Sequence, residues 1–366
     1  TYVITNGFAF AVQSFNGSVY AWGEKETGGN ASVVTTQLGS GSVSKVIPSR
    51  SAFSALQADG TVTAWGLYSA TRGFHSLPLL QRIVSNEAAF AGLTSTGSVF
   101  AFGEEHSGGV IPAHLAGPLF SGVKSIVASA GAFAALKATG EVYAWGASYT
   151  GGGVSSLNTL GLRDVYLLVA NRNAFAALLH TGAVLTWGAA QAGGDSSAVA
   201  TQLERGVIHI VAARSVFAAF KIDGSLVVWG VAEFGGDASS VSSSLASDVI
   251  AVAHTFTAMA ALKANGSVVT WGKATDGGDS SVVQPLLVRV KHVYSNSKAF
   301  AALTVAGRVV PWGRAAYGGE IPVDKVSALS SGVVSIYSTN RAFAALKSDG
   351  SVVVWGQSGH GGIAGA

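Results

Sequence analysis

Apolar and polar positions follow a phrase that recurs nine times along the chain. The phrase has an apolar run, a turn with glycine, and a second apolar run that ends in an aromatic residue and glycine. Its fullest copy spans 342–356, where Ala-Phe-Ala-Ala-Leu-Lys leads through Ser-Asp-Gly into Ser-Val-Val-Val-Trp-Gly. Two apolar runs joined by a short glycine turn are typical of a β-hairpin. The pattern therefore predicts an all-β chain of repeated hairpins.

The copies align on the glycine of their turn, which is Gly17, Gly60, Gly97, Gly140, Gly182, Gly224, Gly266, Gly307 or Gly350. Seven residues earlier stands a large apolar residue: Phe10, Phe53, Phe90, Phe133, Phe175, Phe217, Met259, Phe300 or Phe343. Five residues later stands an aromatic framework residue: Trp22, Trp65, Phe102, Trp145, Trp187, Trp229, Trp271, Trp312 or Trp355. Consecutive framework residues are 37 to 43 residues apart. A period of this length is typical of propellers, solenoids and other arrays.

A third apolar run precedes the hairpin, and we label the three predicted strands of each unit A, B and C. In the sixth unit strand A is the β-branched run Val207–Ala212, which a polar corner at Arg214 joins to strand B. Small residues dominate strand B in every copy, so neighbouring sheets can approach closely there. Pro311 lies in strand C of the eighth unit. Because proline cannot donate a ladder hydrogen bond, strand C is predicted at the edge of its sheet.

After strand C come a variable loop, a Gly-Gly pair and a Ser-rich linker. The linkers 195–203, 237–245 and 279–287 have apolar positions four apart, which predicts a helical turn, with a fourth short strand as the alternative. Asp195, Asp237 and Asp279 are interpreted as N-caps rather than calcium ligands, because no further carboxylates lie nearby. The linker 67–82 of the second unit lacks Gly-Gly and causes the spacing of 37. We interpret it as a neutral deletion; a different crossing or a contact site is the alternative.

Composition narrows the possible functions. Charged residues make up 11% of the chain and hydrophobic residues 49%, and the net charge of +3 is scattered without a basic block. This distribution argues against nucleic-acid binding. No apolar stretch reaches the length of roughly 18 residues that a membrane helix needs, so no membrane insertion is expected. The absence of cysteine excludes disulfides and thiolate metal sites. The chain begins at Thr1, as a processed product or a segment of a longer protein would.

With Gly-x-Val-x-x-Trp-Gly, then Gly-Gly, then an apolar strand and a small-residue strand, each unit resembles the regulator of chromosome condensation repeat. The resemblance covers the chain from Val3 to Gly362. The period of about 42 residues is more similar to a short-repeat variant found in a secreted propeller that inhibits β-lactamases. The usual Gly-Gln-Leu-Gly after Trp-Gly is reduced here to Gly-Gly, and the His often found ahead of strand B is absent.

The resemblance implies a β-propeller with one unit per blade and three to four strands in each blade. An open superhelical β-repeat array is the alternative, because nine blades exceed the usual number. We expect a single repeat domain over 1–366 with units 1–40, 41–78, 79–120, 121–162, 163–204, 205–246, 247–288, 289–330 and 331–366.

Antiparallel strands bring the A–B corners and the loops after strand C to the same end of each sheet. These segments repeat least, and binding residues are often carried on such loops. The candidate partner-binding residues of the loops are Glu24, Lys25, Tyr68, Glu104, Glu105, His106, Tyr149, Glu233, Phe234, Arg314 and Tyr317. Those of the corners are Arg50, Arg172, Arg214 and Arg341. Aromatic residues with Arg and Glu are typical of protein-binding surfaces, and a solvated loop face is the alternative.

No pattern of catalytic or cofactor-binding residues is found in the sequence. His106 beside Glu104 and Glu105 comes nearest to a metal or acid–base cluster, and an ordinary solvated loop is the better interpretation. We therefore expect no enzymatic activity, no cofactor and no metal. Asn16, Asn30 and Asn265 match the glycosylation pattern, but Asn16 and Asn265 lie in turns where Asn-Gly is expected anyway.

Three functional hypotheses remain. The leading one is a non-enzymatic extracellular or cell-surface scaffold or adhesion module within a larger or polymeric assembly, whose partners are proteins or copies of itself. The second is a protein-binding propeller that captures a partner on its loops, as inhibitor and exchange-factor relatives do. The third is a carbohydrate-binding propeller that uses Tyr68, Tyr149, Phe234 and Tyr317. A cytoplasmic or nuclear location remains open.

Overall fold

The computed structural model describes residues 2–39, 41–153 and 162–363. These residues form nine antiparallel sheets of three strands in the order A-B-C, one for each unit. The predicted all-β fold of β-propeller blades is confirmed, and strand C lies at a sheet edge, as Pro311 indicated. We call the sheets blades 1 to 9.

The strands have the following bounds. Strand A is Tyr2–Thr5, Val43–Pro48, Arg82–Ser85, Val123–Ala128, Val165–Ala170, Val207–Ala212, Val249–His254, Val290–Ser295 and Val333–Ser338. Strand B is Ala9–Gln13, Ala52–Gln57, Ala89–Leu93, Ala132–Lys137, Ala174–Leu179, Val216–Lys221, Ala258–Lys263, Ala299–Thr304 and Ala342–Lys347. Strand C is Val19–Gly23, Val62–Gly66, Val99–Gly103, Val142–Gly146, Val184–Gly188, Leu226–Gly230, Val268–Gly272, Val309–Gly313 and Val352–Gly356.

Short helical turns connect the strands. The 3₁₀ turns are Lys25–Thr27, Ser32–Val34, Phe74–Ser76, Glu105–Ser107, Pro118–Phe120, Ser148–Thr150, Ala190–Ala192, Ser197–Val199, Ala232–Phe234, Ser239–Val241, Ala274–Asp276, Gln284–Leu286, Ala315–Tyr317, Val323–Lys325 and Ser358–His360. The α-helical turns are Thr35–Leu38, Tyr68–Thr71, Ala113–Ala116 and Ala200–Leu203. The linkers 195–203, 237–245 and 279–287 therefore contain helical turns rather than a fourth strand.

The interpretation of Asp237 and Asp279 as N-caps is wrong in detail. Asp237 lies one residue before the N-cap of the 3₁₀ turn Ser239–Val241, and Asp279 lies before the turn that leads into Gln284–Leu286. In both cases the carboxylate Oδ1 accepts the N–H of the residue two positions later, Ser239 or Ser281. These are Asx turns, in which a short acidic side chain folds back on its own backbone. The same backbone hydrogen bonds lower the pKa of both carboxyl groups below their ordinary value.

The framework aromatic of strand C stacks on the large apolar residue of strand B. Phe133 and Trp145 are cross-strand partners with ring centroids 5.4 Å apart, and both are buried. Their core includes Ala89 and Ala91 from strand B of the preceding blade. The small residues of strand B thus leave room for the aromatic pair of the next blade, so the core lies between successive sheets.

The Gly-Gly pair makes the second half of this contact. The indole N–H of Trp145 donates to the carbonyl of Gly108, the first glycine of the pair in the preceding blade, at 2.9 Å. Five other tryptophans make the same bond at 2.8 to 3.1 Å: Trp65 to Gly28, Trp187 to Gly151, Trp271 to Gly235, Trp312 to Gly277 and Trp355 to Gly318. A Cβ at Gly277 would lie 2.4 Å from the ring of Phe300, so a side chain there would collide with the core.

Blade 3 is the exception, and its preceding loop explains why. Phe102 replaces tryptophan where the loop of blade 2 has Thr71-Arg72-Gly73 instead of Gly-Gly. Here the N–H of Gly103 donates to the carbonyl of Arg72 at 2.9 Å, and Nε of Arg72 donates to the carbonyl of Gly103 at 3.0 Å. Phenylalanine has no ring N–H to satisfy. The short linker and Phe102 are therefore one coupled change.

Trp22 corrects the expectation that every framework aromatic belongs to the core. Its side chain is 47% exposed and its stacking partner Phe10 is 42% exposed, whereas the other framework residues are buried.

The chain divides into two compact units. The first comprises Thr1–His180 and Val184–Asp195, and the second comprises Thr181–Ala183 and Ser196–Ala366. Both are built from the same blade, so we describe the candidate site within each of them separately.

Candidate functional site

Each blade has two different ends. The loop end consists of the A–B corners and the loops after strand C, and the turn end consists of the B–C turns and the linkers that enter strand A. The antiparallel order of every sheet places these segments as expected.

The turn end is occupied by contacts between blades. In blade 7 the N–H of Val249, the first residue of strand A, donates to the carbonyl of the turn residue Gly224 of blade 6 at 2.9 Å. Val43, Val123, Val165, Val207, Val290 and Val333 donate in the same way to the turn glycines Gly17, Gly97, Gly140, Gly182, Gly266 and Gly307. This hydrogen bond recurs from blade to blade and uses only backbone atoms, so the turn end is part of the framework.

A polar residue four positions before the strand-B aromatic holds the loop end together. Asn296 accepts the N–H groups of Lys298 and Ala299, and its Nδ2 donates to the carbonyl of Tyr317 at 2.6 Å. Asn6, Asn86, Ser129, Asn171, Thr255 and Thr339 donate to the carbonyls of Thr27, Ser107, Thr150, Ala192, Asp276 and His360, also 21 residues later. Sequence reasoning missed these residues, although their recurrence as Asn, Ser or Thr was visible.

In the first unit, two corner arginines share one carboxylate. Glu87 Oε1 lies 2.8 Å from an Nη of Arg172, and its Oε2 lies 3.5 Å from an Nη of Arg50. Backbone bonds support the arrangement, because the N–H of Arg50 donates to the carbonyl of Glu87 at 3.1 Å. Two candidate arginines are thus brought together by one carboxylate. Glu87 comes from strand B's corner in blade 3, between the corners that carry the arginines.

The loops of blades 2 and 3 contain a second charged group. An Nη of Arg72 lies 3.8 Å from carboxylate oxygens of both Glu104 and Glu105. Arg72 was not among the predicted site residues, although it lies in the unusual linker. Both glutamates therefore lie within ion-pair distance of an arginine of the same chain. This agrees with the interpretation of the segment around His106 as an ordinary loop.

Beside this group lies an open cleft of about 660 Å³. It is lined by Glu105 and His106 of blade 3 and by Tyr149 of blade 4, with Val110, Pro112 and Ser148 between them. The sequence placed Glu105 and His106 on one loop and Tyr149 on another, and the structure brings them to one cleft.

In the second unit, a buried acid fixes one candidate arginine. Asp276 is 1% exposed, and its Oδ1 lies 2.8 Å from Nη2 and 3.1 Å from Nε of Arg314. Its Oδ2 accepts the hydroxyl of Thr257 at 2.9 Å. Burial in a pair with additional hydrogen bonds holds the guanidinium in one orientation.

Tyr317 lies among three cations. Its ring centroid is 5.5 Å from Nζ of Lys298, 6.0 Å from Cζ of Arg314 and 5.2 Å from Cζ of Arg341. An Nη of Arg341 also donates to the side-chain oxygen of Gln357 at 3.1 Å. We call Lys298, Arg314, Tyr317 and Arg341 the Tyr317 cluster.

A related contact lies in blades 6 and 7. Cζ of Arg214 is 5.7 Å from the ring centroid of Phe234 and 5.1 Å from that of Phe256. The guanidinium thus contacts Phe234, in the loop after strand C of its own blade, and Phe256, at the A–B corner of the next blade. The second unit repeatedly sets a cation against an aromatic ring.

The remaining predicted residues lie outside these groups. Glu24, Lys25, Tyr68 and Glu233 are exposed on the loop end, and the hydroxyl of Thr27 contacts a carboxylate oxygen of Glu24 at 3.2 Å. The described residues contain no group of three His, Cys, Asp or Glu side chains that could hold a metal ion. Within the same residues, no helix has the length and apolar character needed to cross a membrane.

Comparison with known proteins finds no matching family model and no matching curated protein. Among solved structures, the chain is similar to Prp20p of Saccharomyces cerevisiae, the yeast RCC1, whose binding to Gsp1p and histones has been described. The TM-score is 0.37 with 16% identity, over 64% of this chain and 72% of that chain. The regulator of chromosome condensation family, which the repeat resembles, is thus represented among the similar structures.

Two further structures are similar at the same level. The ectodomain of the Arabidopsis thaliana receptor kinase ACR4 gives a TM-score of 0.38 with 17% identity, over 75% of this chain and 96% of that chain. Human WBSCR16 gives a TM-score of 0.36 with 18% identity, over 82% of this chain and 80% of that chain. The blade assignment itself follows from the nine sheets of this chain.

Proposed function

We propose that this chain is a non-catalytic protein-binding module whose loop end contacts the partner. The observation that carries the proposal is the set of cations placed against aromatic rings at the loop end of the second unit. Arg and Tyr are enriched among the residues that contribute most to protein–protein affinity. The turn end is less suited to binding a partner, because the carbonyls of its turn glycines already accept hydrogen bonds from the next blade.

The framework suits such a role. The loop carbonyls are held by side chains such as Asn296 and Thr255, which lie behind the surface. Because the loops are fixed from behind, the cations and aromatic rings lose little additional conformational entropy on binding. The loop sequences can also vary without disturbing the core.

The test is a comparison of two matched triple variants as bait in an extract of the source cells. The loop-end variant is Arg214→Gln, Lys298→Gln and Arg341→Gln. The turn-end control is Arg205→Gln, Arg289→Gln and Arg308→Gln, which removes the same charge from exposed positions of the same unit. We expect quantitative mass spectrometry to find proteins retained by the wild type and the control but lost by the loop-end variant. If every retained protein binds all three baits equally, the proposal is wrong.

A second candidate is self-association into a scaffold, which the half-exposed Phe10–Trp22 pair favours. Sedimentation velocity of Trp22→Ser and of the control Phe15→Ser, whose side chain is 97% exposed, tests it. Concentration-dependent association should disappear only with Trp22→Ser. An extracellular or cell-surface location and a likeness to the β-lactamase inhibitors remain proposals that depend on the partner found.

A further inference from the structure

We infer that the Tyr317 cluster binds carboxylate side chains of an acidic protein segment. This inference rests on the proposed function and names the chemistry of the partner.

Two cations of the cluster lack an acidic partner within the chain. Arg314 is paired with Asp276, but the described residues place no carboxylate within ion-pair distance of Lys298 or Arg341. Nζ of Lys298 and Cζ of Arg341 lie 5.5 and 5.2 Å from the centroid of the same ring, and like charges near one another repel each other. An anion bound between them would remove this repulsion, so the cluster is electrostatically complementary to a negative group.

The first unit contains an example of the ligand that fits. There the carboxylate of Glu87 lies between the corner arginines Arg50 and Arg172. Lys298 and Arg341 are corner residues of blades 8 and 9, one position nearer to strand B than the set Arg50, Glu87 and Arg172, and neither of their corners carries an acidic residue. The framework therefore already shows a carboxylate bridging the corner cations of different blades. The described residues give Lys298 and Arg341 no such acid, so a carboxylate from another molecule would take its place.

Two properties of the cluster favour an acidic protein segment over a nucleic acid. The chain has no basic stripe, and its net charge is only +3. Binding to a phosphate backbone requires many cations in a row. The cluster instead offers two cations without an acidic partner among the described residues and the ring of Tyr317, which suits one or two carboxylates next to an apolar side chain.

The test uses a fluorescein-labelled peptide of eight alternating Glu and Asp residues, with the corresponding Gln and Asn peptide as a neutral probe. Fluorescence anisotropy should show binding of the acidic peptide to the wild type and weaker binding as salt is raised. The double variant Lys298→Glu and Arg341→Glu should weaken binding at least about tenfold. The control Arg308→Glu, at the turn end of blade 8, should leave affinity within about twofold, since the length of strand B separates it from Lys298.

Other outcomes overturn the inference. Equal binding of the neutral peptide, equal weakening by Arg308→Glu, or tighter binding of a single-stranded oligonucleotide of the same charge would each do so. Its failure is distinguishable from failure of the proposed function. If the acidic peptide does not bind but bait capture still depends on the loop end, the function stands and the carboxylate assignment falls. If the peptide binds but no captured protein depends on the loop end, the function falls.

Discussion

Two corner arginines of the first unit share the carboxylate of Glu87, whereas in the second unit Lys298 and Arg341 lie over the ring of Tyr317 without such an acid. Both arrangements are carried by blades of the same type. In blade 3 and in blade 8 an asparagine at the corner donates to the backbone carbonyl of a loop residue. The two arrangements use different corner positions: Arg50, Glu87 and Arg172 directly follow the polar corner residue, and Lys298 and Arg341 come one position later. A repeat fold can therefore give one set of corner cations an acidic partner and leave another set without one by changing corner residues alone.

The largest expected effect concerns one acid from each unit: Glu87, which the corner arginines share, and Asp276, which fixes Arg314. Asp276→Ala removes a buried carboxylate and leaves Arg314 and Thr257 without their partner. We expect the free energy of unfolding to fall by about 2 to 3 kcal/mol, below the full value for a buried pair because Arg314 is partly exposed. Glu87→Ala breaks an exposed group and should cost less than about 1 kcal/mol.

Urea unfolding followed by tryptophan fluorescence measures both variants. Trp271 and Trp312 report on the second unit, and Trp65 and Trp145 on the first. If both substitutions lowered the free energy of unfolding equally, the two acids would contribute equally to stability. The distinction between a buried structural acid and a surface acid would then be wrong.

A pH-dependent difference between the units comes next. Burial lowers the pKa of His254 below its ordinary value of 6.5, against a smaller opposing effect of the Thr255 carbonyl. His254 ends strand A of blade 7, where the first unit has Thr, Pro, Ser or Ala. The unfolded chain therefore binds this proton at a higher pH than the folded chain. The free energy of unfolding should fall as the pH drops below 6.5, by at most about 1.4 kcal/mol per pH unit.

The variant His254→Gln isolates this contribution. Its stability should stay flat between pH 7 and pH 5, measured by urea unfolding at each pH, while that of the wild type declines. The carboxyl groups with a lowered pKa, such as Asp223 and Asp349, titrate below their ordinary value of 3.8 and leave this window clear. A wild type and variant with parallel pH profiles would contradict the assignment.

The third prediction converts one region into the other. Glu87→Gln removes the carboxylate that Arg50 and Arg172 share, so both guanidinium groups become available to a ligand. In a chain that also carries Lys298→Glu and Arg341→Glu, this change should restore binding of the acidic peptide by at least about threefold. Fluorescence anisotropy with the same labelled peptide measures it. No gain in affinity would mean that pairing by Glu87 is not what separates the two surfaces.

The repeat was predictable because backbone requirements fix its residues. A framework tryptophan, a turn glycine and the Gly-Gly pair each answer a contact between successive blades, so they recur at constant spacing. Phe102 and the short linker after strand C of blade 2 looked like two irregularities in the sequence. The structure makes them one, since a ring without N–H follows the loop without Gly-Gly. Such coupling links residues in different blades and cannot be derived from one unit.

The candidate site was less predictable, because its chemistry depends on which side chains meet across blades. Arg50, Arg172, Arg314 and Arg341 were all expected at the loop end, but nothing in their spacing indicates that the first two share the carboxylate of Glu87. Asp276 stands in a loop as an ordinary polar residue, and only its burial identifies it as the acid that fixes Arg314. Burial and pairing are properties of the fold.

The smallest expected effect tests the ring in the Tyr317 cluster. Tyr317→Leu keeps the backbone carbonyl that accepts from Asn296, so the loop should hold its conformation. It removes the ring that lies 5.2 Å from Arg341 and 5.5 Å from Lys298. A cation–π contact at a partly exposed site is worth about 0.5 to 1 kcal/mol, which corresponds to a two- to fivefold loss of peptide affinity. The matched control Tyr149→Leu, at the cleft of the first unit, should change affinity by less than about twofold because no cation lies over that ring among the described residues. If both substitutions weaken binding alike, the peptide does not distinguish the two surfaces, and the cations rather than the ring define the site.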